Sequence, residues 1–445
     1  MNIAHIHGGH PGGRQKVAVV GSGISGASAA WALSKTADVT VFEAAGRAGG
    51  HTATVEVDYD GTPVAVDTGF IVFNELNYPN LTALFAELDV ATHRSDMGFS
   101  LSLDGGRLEW SGASYRSVFA QKRNLASPSF LWMLREILRF NRLCIADRDS
   151  GVVGHATIGQ YLELRRFSAS FRDDYLIPMA AAIWSTPRIQ MLDFPATTFI
   201  DFFENHRLIH NERPNWRTVT GGSQRYLDKL LAPVGDGLRL NCAVETVIRD
   251  AYGVTVWAGG QPPQRFDRIV IASHSDQALR LLGDASPIEQ SVLSAITYRP
   301  NRVVLHRDQR LMPKRKAAWT AWNYLRSRGG EDEVCVTYWM NRLQGIDERY
   351  PLFVSLNPSI EPRPELVFGE WSFDHPQFDA RALAAQARLD DMQGQRHTWY
   401  AGAWTGHGFH EDGLRSGLAA ATAIGATVPW QQRVAPAELL PLAAE

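Results

Sequence analysis

Cysteine and long apolar runs are both scarce in this sequence. Its three cysteines, Cys144, Cys242 and Cys335, lie far apart among 445 residues and form no C-x-x-C pair. This spacing indicates neither a disulfide framework nor a thiolate metal site, and it fits a reducing compartment. No stretch approaches the roughly 20 apolar residues that cross a bilayer, and the N-terminus lacks the apolar segment of a signal peptide. We therefore expect a soluble, cytoplasmic protein.

An excess of one charge is also missing. The 44 basic and 47 acidic side chains give a net charge of -3, which provides no electrostatic surface for nucleic acid. The content of 45% apolar and 20% charged residues is typical of a globular protein, and 445 residues exceed what one core normally holds. Two interleaved domains are therefore predicted, with no nucleic-acid partner.

The two ends of the chain carry no pattern on which to fold. Residues 1–14 hold His5, His7 and His10 among glycines, which could bind a metal ion adventitiously, and no functional metal is predicted. We expect a disordered segment over 1–14 and a poorly ordered tail over 429–445.

A compact βαβ unit follows the N-terminal segment. An apolar strand pattern covers residues 16–20, an alanine-rich helical stretch covers 25–34, and a second strand covers 39–42. The turn between the first strand and the helix reads Gly-Ser-Gly-Ile-Ser-Gly from Gly21 to Gly26. A strand, a G-x-G-x-x-G turn and a helix in this order are typical of a dinucleotide-binding unit.

The glycine turn suits a pyrophosphate because backbone N–H groups and the positive end of the helix can face its negative charge. Gly21 permits the turn, Gly23 lets the backbone approach the phosphates, and Gly26 lets the helix pack on the strand. Glu43, at the end of the second strand, can accept hydrogen bonds from both ribose hydroxyls of an adenosine, and its charge disfavours a 2′-phosphate. The turn alone would suit NAD as well as FAD.

Two further glycine-rich segments favour FAD. Residues 46–52 supply a flexible loop with Arg47 where an NAD domain would continue into a crossover helix, and a hairpin without ligand is the alternative. Residues 400–413 lead into a helix whose free N–H groups at 411–414 could face the pyrimidine edge of a flavin. Alternatively, this segment is an ordinary helix start capped by Asp412.

The predicted nucleotide domain is interrupted by two insertions. The first insertion shows helical periodicity, whereas the second alternates short apolar and aromatic runs with turns, as antiparallel strands do. We assign 15–76, 221–285 and 391–428 to the FAD-binding domain, with parallel-sheet strands at 239–247 and 267–272, and 77–220 and 286–390 to the substrate-binding domain. The predicted fold class is α/β, an interrupted Rossmann-type FAD-binding domain with an inserted α+β substrate domain.

The glycine turn at 21–26, Glu43, the Arg47-x-Gly49-Gly50 loop and the C-terminal glycine turn together resemble the flavin-containing amine oxidase superfamily, which includes protoporphyrinogen oxidases and phytoene-type desaturases. Residues 66–70, 221–223 and 266–272 also resemble family segments. The resemblance implies an FAD-dependent oxidoreductase. The residues that we expect to bind FAD are Gly21, Gly23, Ile24, Ser25, Gly26, Glu43, Ala44, Arg47, Gly49, Gly50, His51, Thr68, Gly69, Phe70, Val244, Ala272, Gly402, His410, Glu411, Asp412, Gly413 and Leu414.

Residues 178–185, 319–325, 338–344 and 408–413 resemble, more narrowly, a bacterial subgroup of predicted NAD/FAD-binding proteins that often accompany enzymes modifying unsaturated acyl chains. This likeness implies an unsaturated or methylated fatty-acyl substrate and a functional link to an acyl-chain methyltransferase. The chain departs from the superfamily in two ways. We can place no equivalent of the flavin-facing lysine of amine oxidases, which disfavours amine oxidation, and no cysteine near the C-terminal turn, so FAD is expected to be non-covalent.

Three residues are candidates for catalysis. His407 and His410 lie in the turn expected to approach the flavin, although either could be structural, and Tyr338 lies in the second insertion. Hydride transfer needs chiefly a C–H bond held in a dry pocket, so a missing catalytic dyad does not exclude an enzyme. Aromatic residues of the second insertion could line such a pocket or serve the core: Trp319, Trp322, Tyr324, Tyr338, Trp339, Phe353, Phe368, Trp371 and Phe373.

Residues 129–143 place Arg135, Arg139 and Arg142 on one helical stripe. This stripe could contact a membrane surface that supplies a lipid substrate, or it could be the solvated face of a core-packed helix. Three functions remain open from the sequence. They are a dehydrogenase or desaturase of an apolar chain, an amine or amino-acid oxidase, and a flavin-bearing accessory protein of a lipid-modifying methyltransferase.

Overall fold

A computed structural model describes residues 13–210, 212, 214–326 and 334–431. Residues 1–12 of the predicted N-terminal segment, with its three histidines, and most of the predicted tail lie outside the described residues. The strands are β1 (Gln15–Val20), β2 (Ala37–Phe42), β3 (Thr54–Tyr59), β4 (Thr62–Asp67), β5 (Val72–Asn74), β6 (Thr92–Arg94), β7 (Phe99–Leu103), β8 (Leu108–Ser111), β9 (Trp216–Val219), β10 (Leu238–Arg239), β11 (Val244–Asp250), β12 (Gly253–Ala258), β13 (Gln264–Phe266), β14 (Arg268–Ile271), β15 (Thr297–His306), β16 (Trp322–Arg326), β17 (Cys335–Trp339), β18 (Phe353–Leu356), β19 (Val367–Gln377) and β20 (Thr398–Tyr400). The α-helices are α1 (Ile24–Leu33), α2 (Pro79–Glu87), α3 (Tyr115–Val118), α4 (Pro128–Asp149), α5 (Ile158–Leu164), α6 (Ala169–Phe171), α7 (Ile177–Trp184), α8 (Arg188–Leu192), α9 (Ala196–Asn205), α10 (Gln224–Leu231), α11 (Ser275–Leu281), α12 (Pro287–Leu293), α13 (Met340–Gln344), α14 (Ala380–Gln386) and α15 (His410–Ile424).

A five-stranded parallel sheet in the order β10-β2-β1-β14-β20 forms the centre of the nucleotide domain. Both of its faces are covered. Val17 and Val19 pack toward α1, α10 and α15, whereas Ala18 and Val20 pack toward the antiparallel sheet β11-β12-β13. Alternate side chains of a strand point to opposite faces, so a strand buried on both sides is apolar throughout. This architecture confirms the predicted Rossmann-type domain and its interruption by insertions.

The last helix of the domain lies directly against the first. Every residue of α1 is buried, and a Cβ atom on Gly417 of α15 would collide with the Ser25 carbonyl oxygen of α1. A Cβ atom on Gly26 would likewise collide with the Gly21 carbonyl oxygen. Glycine therefore sets the distance between α15, α1 and the turn that precedes α1.

One predicted strand of the parallel sheet is wrong. The pattern over 239–247 predicts a single strand, but only β10 pairs with β2, and β11 instead pairs antiparallel with β12. The chain turns at Asn241, which adopts a φ of 50°. The N–H groups of Asn241 and Cys242 donate to the carbonyls of Ala45 and Glu43, so the segment follows the loop after β2 rather than the sheet.

The substrate domain is built on a seven-stranded sheet in the order β19-β15-β18-β17-β16-β7-β8. Its strands are antiparallel except for the parallel pair β16–β7. Because β7 and β8 come from the first insertion, which the sequence predicts to be mainly helical, the two insertions form one domain. Helices α4 to α9 share its core. Within the described ranges, no helix, including the 22-residue α4, is both long and apolar enough to cross a bilayer.

Candidate active site

A cavity of about 740 Å³ extends from the carboxyl ends of β1 and β2 to the seven-stranded sheet. This volume lies within the range of roughly 300–1,000 Å³ that is usual for ligand pockets. We call the part lined by the glycine turn, Glu43, Gly49, Gly50 and Val244 the nucleotide half. We call the part lined by β7, β15 to β18, α7 and the end of α9 the apolar half. Its lining includes Phe99, Met179, Ile183, Val303, Trp322, Tyr338 and Leu356.

The glycine turn leaves open space in front of the start of α1. The Gly21 N–H donates to the Phe42 carbonyl at 2.8 Å, and Gly21 has a φ of +94°, a conformation that side chains rarely adopt. Gly23 has an ordinary φ of -60°, and a Cβ atom there would meet nothing within 4 Å. Gly23 therefore leaves a recess at a positive helix end, where the pyrophosphate of a dinucleotide fits. Ile24 and Ser25 also line the cavity.

Glu43 is held in place by the same turn. Its Oε2 accepts hydrogen bonds from the Ser22 N–H at 3.0 Å and from the Ser22 hydroxyl, and its Oε1 accepts from the Ala45 N–H at 2.9 Å. A carboxylate offers about four acceptor positions, so one is left for a ribose hydroxyl. Glu43 and Ala44 line the cavity. Ala272, whose carbonyl group packs against Gly21, lines it as well.

Arg47 organises its own loop. Its guanidinium donates to the carbonyls of Gly50 at 2.8 Å and Thr52 at 3.2 Å, and Arg47 does not line the cavity. Burial lowers the pKa of Arg47, and Glu43 opposes this effect. Gly49, Gly50 and His51, together with Thr68, Gly69 and Phe70, do line the cavity. Arg47 thus shapes the loop that faces the ligand.

The C-terminal glycine turn contributes its first part to the cavity. Gly402, His407 and His410 line it, whereas residues 411–414 do not. The Glu411 carboxylate instead accepts from the N–H groups of Asn80 and Leu81 at the start of α2, at 2.9 and 3.0 Å. The Asp412 carboxylate accepts from the N–H groups of His407 and Phe409, both at 3.1 Å. Gly413 faces α1, where an added Cβ atom would lie 2.9 Å from Ile24, and Leu414 is buried in the core.

His410, one of the three candidates for catalysis, is hydrogen-bonded within the protein. Its Nε2 lies 2.6 Å from the Tyr226 hydroxyl, which lies 2.6 Å from the Thr52 hydroxyl. The Phe70 ring stacks on His410 at 3.8 Å. Burial lowers the pKa of His410 to about 3, so the imidazole is neutral. Its Nε2 is therefore occupied within the protein, while His407 lies exposed at the cavity wall.

Tyr338 and two other predicted aromatic residues line the cavity. The Tyr338 ring packs edge-on against Trp322 at 5.2 Å, and burial raises the pKa of its hydroxyl. Phe373 is the third. Tyr324 is fully buried in the core, and Trp319 packs on Trp339 and Phe353 away from the cavity. Strand alternation separates Tyr338 from its neighbour Trp339 on β17. Trp322 and Tyr324 share a face of β16, and only Trp322 lies where that face borders the cavity.

Three histidines in the cavity wall, His206, His274 and His375, were not identified from the sequence. His206, at the end of α9, places Nδ1 3.0 Å from the Phe202 carbonyl, so Nδ1 carries the proton and Nε2 is an acceptor. Burial lowers the pKa of His206 to about 4. His375 lies on β19 and stacks 5.5 Å from His51. No motif marks His206, whereas period-two spacing from Phe373 could have placed His375 on the same face.

The chemistry of the lining fits a non-covalent flavin. None of the three cysteines lines the cavity, so no thioether can form there. Within the described residues, no group of three or more potential ligands is arranged to hold a metal ion. The recess at Gly23, the free acceptor position of Glu43 and the loop at 49–51 would hold the adenosine diphosphate part of FAD, and the cavity continues from there into the apolar half.

Comparison with known proteins agrees with this arrangement. No match was found among curated proteins. Putrescine oxidase bound to putrescine superposes with a TM-score of 0.66 at 18% identity, over 92% of this chain and 98% of that chain. Cyclohexylamine oxidase from Brevibacterium oxydans gives 0.64 at 17% identity, over 92% and 98%. A CLA-producing fatty acid isomerase from P. acnes gives 0.65 at 14% identity, over 93% and 99%. At these identities the likeness concerns the fold.

The sequence itself assigns the family. The family model for flavin-containing amine oxidoreductases matches residues 24–351, which begin at the end of the glycine turn and include Glu43 and most of both insertions. FAD is the cofactor that this family uses, in agreement with the recess and the loops described above. The chain therefore belongs to the flavin-containing amine oxidoreductases and is an FAD-dependent oxidoreductase.

Proposed function

We propose that the enzyme dehydrogenates an apolar chain, most simply an unsaturated or methylated fatty-acyl group, held in the apolar half of the cavity. The observation that supports this proposal is the lining. Residues such as Phe99, Met179, Ile183, Val303 and Leu356 surround the space, and burial of a hydrocarbon chain against them is favourable at roughly 0.8 kcal/mol for each CH₂ group.

The distribution of charge also favours an apolar substrate. Among the described lining residues the formally charged ones are Glu43, Arg280 and Asp374. Glu43 and Arg280 belong to the nucleotide half. The Asp374 carboxylate interacts electrostatically with His274 and opposes the lowering of its pKa by burial. Apart from Asp374, which lies between Phe373 and His375 on β19, no lysine, aspartate or glutamate of the described lining residues lies outside the nucleotide half. A substrate ammonium among the apolar side chains would therefore be buried without a partner, at considerable cost. Amine oxidation, for which two structural neighbours are named, is the second candidate.

Dehydrogenation removes a hydride and a proton from adjacent carbons. Bound FAD supplies the two-electron acceptor for the hydride. The chain must supply the proton acceptor, and His206 has the required form. Its Nδ1–H is held by the Phe202 carbonyl, its ring stacks on Phe202 at 3.8 Å, and its unprotonated Nε2 is the ring nitrogen left for the cavity. With a pKa of about 4, His206 is neutral at physiological pH, so the lone pair of Nε2 is unprotonated there.

The substrate class can be tested by anaerobic reduction of the bound flavin. We expect oleic acid or an oleoyl phospholipid to bleach the flavin absorbance, and putrescine and cyclohexylamine to leave it unchanged. Ile183→Asp places a carboxylate in the apolar half, and we expect it to slow bleaching by the acyl chain at least about tenfold, or about 1.4 kcal/mol in the barrier. The matched variant Ile183→Leu conserves volume and should stay close to the wild-type rate.

Two outcomes would contradict this proposal. Bleaching by the amines alone would make the enzyme an amine oxidase. Flavin that neither substrate class reduces, in a protein that binds an acyl-chain methyltransferase, would indicate an accessory role for the flavoprotein.

Helix α4 presents a surface that suits contact with an anionic membrane. Leu131, Trp132 and Leu138 are 43%, 54% and 64% exposed, and Arg135 and Arg142 lie on the same helical face. Arg139, predicted on that stripe, instead donates to the Arg165 carbonyl at 2.6 Å. Exposed apolar side chains beside cations match the interface of an anionic bilayer, where an acyl substrate would reside.

Vesicle binding tests this surface. We expect the holoenzyme to sediment with vesicles containing phosphatidylglycerol, less strongly at high salt, and not with pure phosphatidylcholine. The double variant Trp132→Glu/Leu138→Glu should lose at least tenfold in partitioning, because each apolar side chain contributes roughly 1.5–3 kcal/mol when buried. Tyr252→Glu, at a position 79% exposed elsewhere, is the matched control. Equal partitioning of both variants would exclude α4 as the contact.

A further inference from the structure

His375 lies where the two halves of the cavity meet, and its hydrogen-bonding state is fixed by its partners. The ring stacks on His51, the residue that follows Gly50, and its Nδ1 lies 3.1 Å from the Asn301 side-chain nitrogen. Phe373, two residues earlier on β19, also lines the cavity and belongs to the same core cluster as residues of the apolar half. Within the described residues, Nε2 of His375 has no hydrogen-bond partner, and the residue lines the cavity. A ligand can therefore reach Nε2.

A relay of two asparagines determines which nitrogen of His375 carries the proton. The backbone N–H of Arg302 can only donate, and it donates to Asn357 Oδ1 at 2.9 Å. The Asn357 amide nitrogen must then face the other way, and it donates to Asn301 Oδ1 at 2.8 Å. This leaves the Asn301 amide nitrogen to face His375, and a second contact to the Arg299 carbonyl at 3.1 Å fits the same orientation.

The relay makes Nδ1 of His375 an acceptor. A neutral imidazole has one donor and one acceptor nitrogen, so the proton lies on Nε2, which faces the cavity. A proton on Nδ1 would point at the amide hydrogens of Asn301, which are donors and cannot accept it. Burial lowers the pKa of His375 to about 4, His274 lowers it further, and Asp374 opposes both. His51, the remaining titratable neighbour, also has a pKa well below its usual value because of burial.

We propose that His375 is a fixed, neutral hydrogen-bond donor to the flavin ring, and that Asn301 and Asn357 hold it in that tautomer. A cofactor whose pyrophosphate lay at Gly23 would have to extend its redox ring toward the boundary of the two halves to meet a substrate in the apolar half. His375 lines that boundary. The flavin ring carries carbonyl oxygens and ring nitrogens that accept hydrogen bonds. This role is independent of the substrate class.

Such a donor influences the reduction potential of the flavin. The reduced ring is richer in electrons than the oxidised ring, so a donor binds the reduced form more tightly and raises the reduction potential. Since the donor is neutral between pH 5 and 8, it adds no proton-dependent step of its own in that range. His375 therefore differs from a catalytic base, because the nitrogen that could accept a proton is turned away from the cavity.

The first test replaces the donor with a ring of similar size. In His375→Phe we expect the ratio of affinities for reduced over oxidised flavin to fall about tenfold, which lowers the midpoint potential by about 30 mV for a two-electron couple. FAD content and thermal stability should stay close to wild type, because the side chain faces the cavity. A wild-type potential in His375→Phe would overturn the proposal.

The second test reverses the tautomer. Asn301→Asp leaves only acceptors facing Nδ1, which draws a proton to that nitrogen and raises the pKa of His375. We expect the potential of Asn301→Asp to acquire a histidine-like step between pH 5 and 8 that is absent in wild type and in the double variant Asn301→Asp/His375→Phe. Asn323→Asp is the control, because Asn323 is fully buried in the same sheet and is bonded to Thr320 and Thr337.

The outcomes separate a tautomer effect from a structural one. A step that persists without His375, or that appears in Asn323→Asp, would show that buried charge alone is responsible and would overturn the relay. Absence of a step in Asn301→Asp that retains FAD would also overturn it. If Asn301→Asp fails to retain FAD, the midpoint potential of His375→Phe alone decides whether His375 is a donor to the flavin. Failure of the acyl-chain proposal would leave all of these potentials unaffected.

Discussion

Gly23→Val is expected to abolish FAD binding while leaving the fold intact. A side chain at this position would meet nothing within 4 Å, and the φ of -60° is one that valine adopts without strain. The added methyl groups would fill the recess at the start of α1 and displace the pyrophosphate from the helix end. We expect the dissociation constant for FAD, measured by fluorescence titration of the apoprotein, to rise at least 100-fold, or about 3 kcal/mol.

A graded series makes this result specific to the recess. Gly23→Ala fills less of it and should show an intermediate loss of affinity. The apoprotein of Gly23→Ala should unfold close to the wild-type temperature, because the added Cβ atom touches no protein atom. The apoprotein of Gly23→Val should unfold at a slightly lower temperature, because valine is a poorer helix N-cap than glycine. Gly26→Ala, by contrast, collides with the Gly21 carbonyl and should lower the unfolding temperature itself. An FAD affinity in Gly23→Val that equals wild type would place the pyrophosphate elsewhere.

Arg249→Met is expected to be the most destabilising conservative change outside the cavity. The fully buried guanidinium of Arg249 makes two hydrogen bonds to Glu289, at 2.6 and 2.9 Å, and one to Asp284 at 2.9 Å. Methionine retains the apolar stem but leaves the Glu289 carboxylate buried without its cation. Removal of one partner of a buried ion pair costs roughly 3–5 kcal/mol. The free energy of unfolding in urea measures this loss.

The pH dependence of stability provides a second signature. Burial alone would raise the pKa of Glu289, but hydrogen bonds from Arg249 and Tyr400 hold it at about 2, below the ordinary value of 4.5. In wild type this group therefore stabilises the fold above about pH 4.5, and that stabilisation is lost as pH falls toward 2. In Arg249→Met, burial without the cation raises the pKa of Glu289 above its ordinary value. The pH dependence of stability then changes sign, so stability should fall as pH rises through this raised pKa.

A surface ion pair on the same small sheet is the control for Arg249. Arg265 pairs with Asp250, and their side chains are 43% and 52% exposed. Because exposed pairs contribute little, Arg265→Met should lower the free energy of unfolding by less than about 1 kcal/mol. A similar loss of unfolding free energy in both variants would show that the burial of Arg249 does not account for the effect of Arg249→Met.

The parts of the site that the sequence predicts are those built from neighbouring residues. The glycine turn at 21–26, α1 and Glu43 form a continuous stretch, and local rules for turns, strands and helices are sufficient to assemble them. The FAD cofactor and the interrupted fold follow from the same stretch and from its resemblance to a family. Likewise, the turn at 400–413 was predicted to approach the cofactor because glycine and small residues precede a helix start, and its part from Gly402 to His410 contributes to the cavity wall.

The parts that could not be predicted depend on distant partners. Glu411 lies at the start of α15 as expected, but its carboxylate bonds to Asn80 and Leu81, more than 300 residues earlier in the chain. His375 acquires its tautomer from Asn301 and Asn357, which reach it only through the pairing of β15 with β18 and β19. No local pattern encodes such contacts, because each residue type also has an ordinary role on a strand or at a helix end.

The order of strands in the parallel sheet has a consequence for biosynthesis. β1 pairs with β2 soon after both emerge from the ribosome, but its other neighbour, β14, begins at Arg268, and α15, which covers α1, ends at Ile424. Nascent domains usually fold from the N-terminus onward. Here the first helix keeps an apolar face uncovered until α15 has been translated. FAD binding that uses both the first and the last glycine turn is therefore expected only after α15 has emerged.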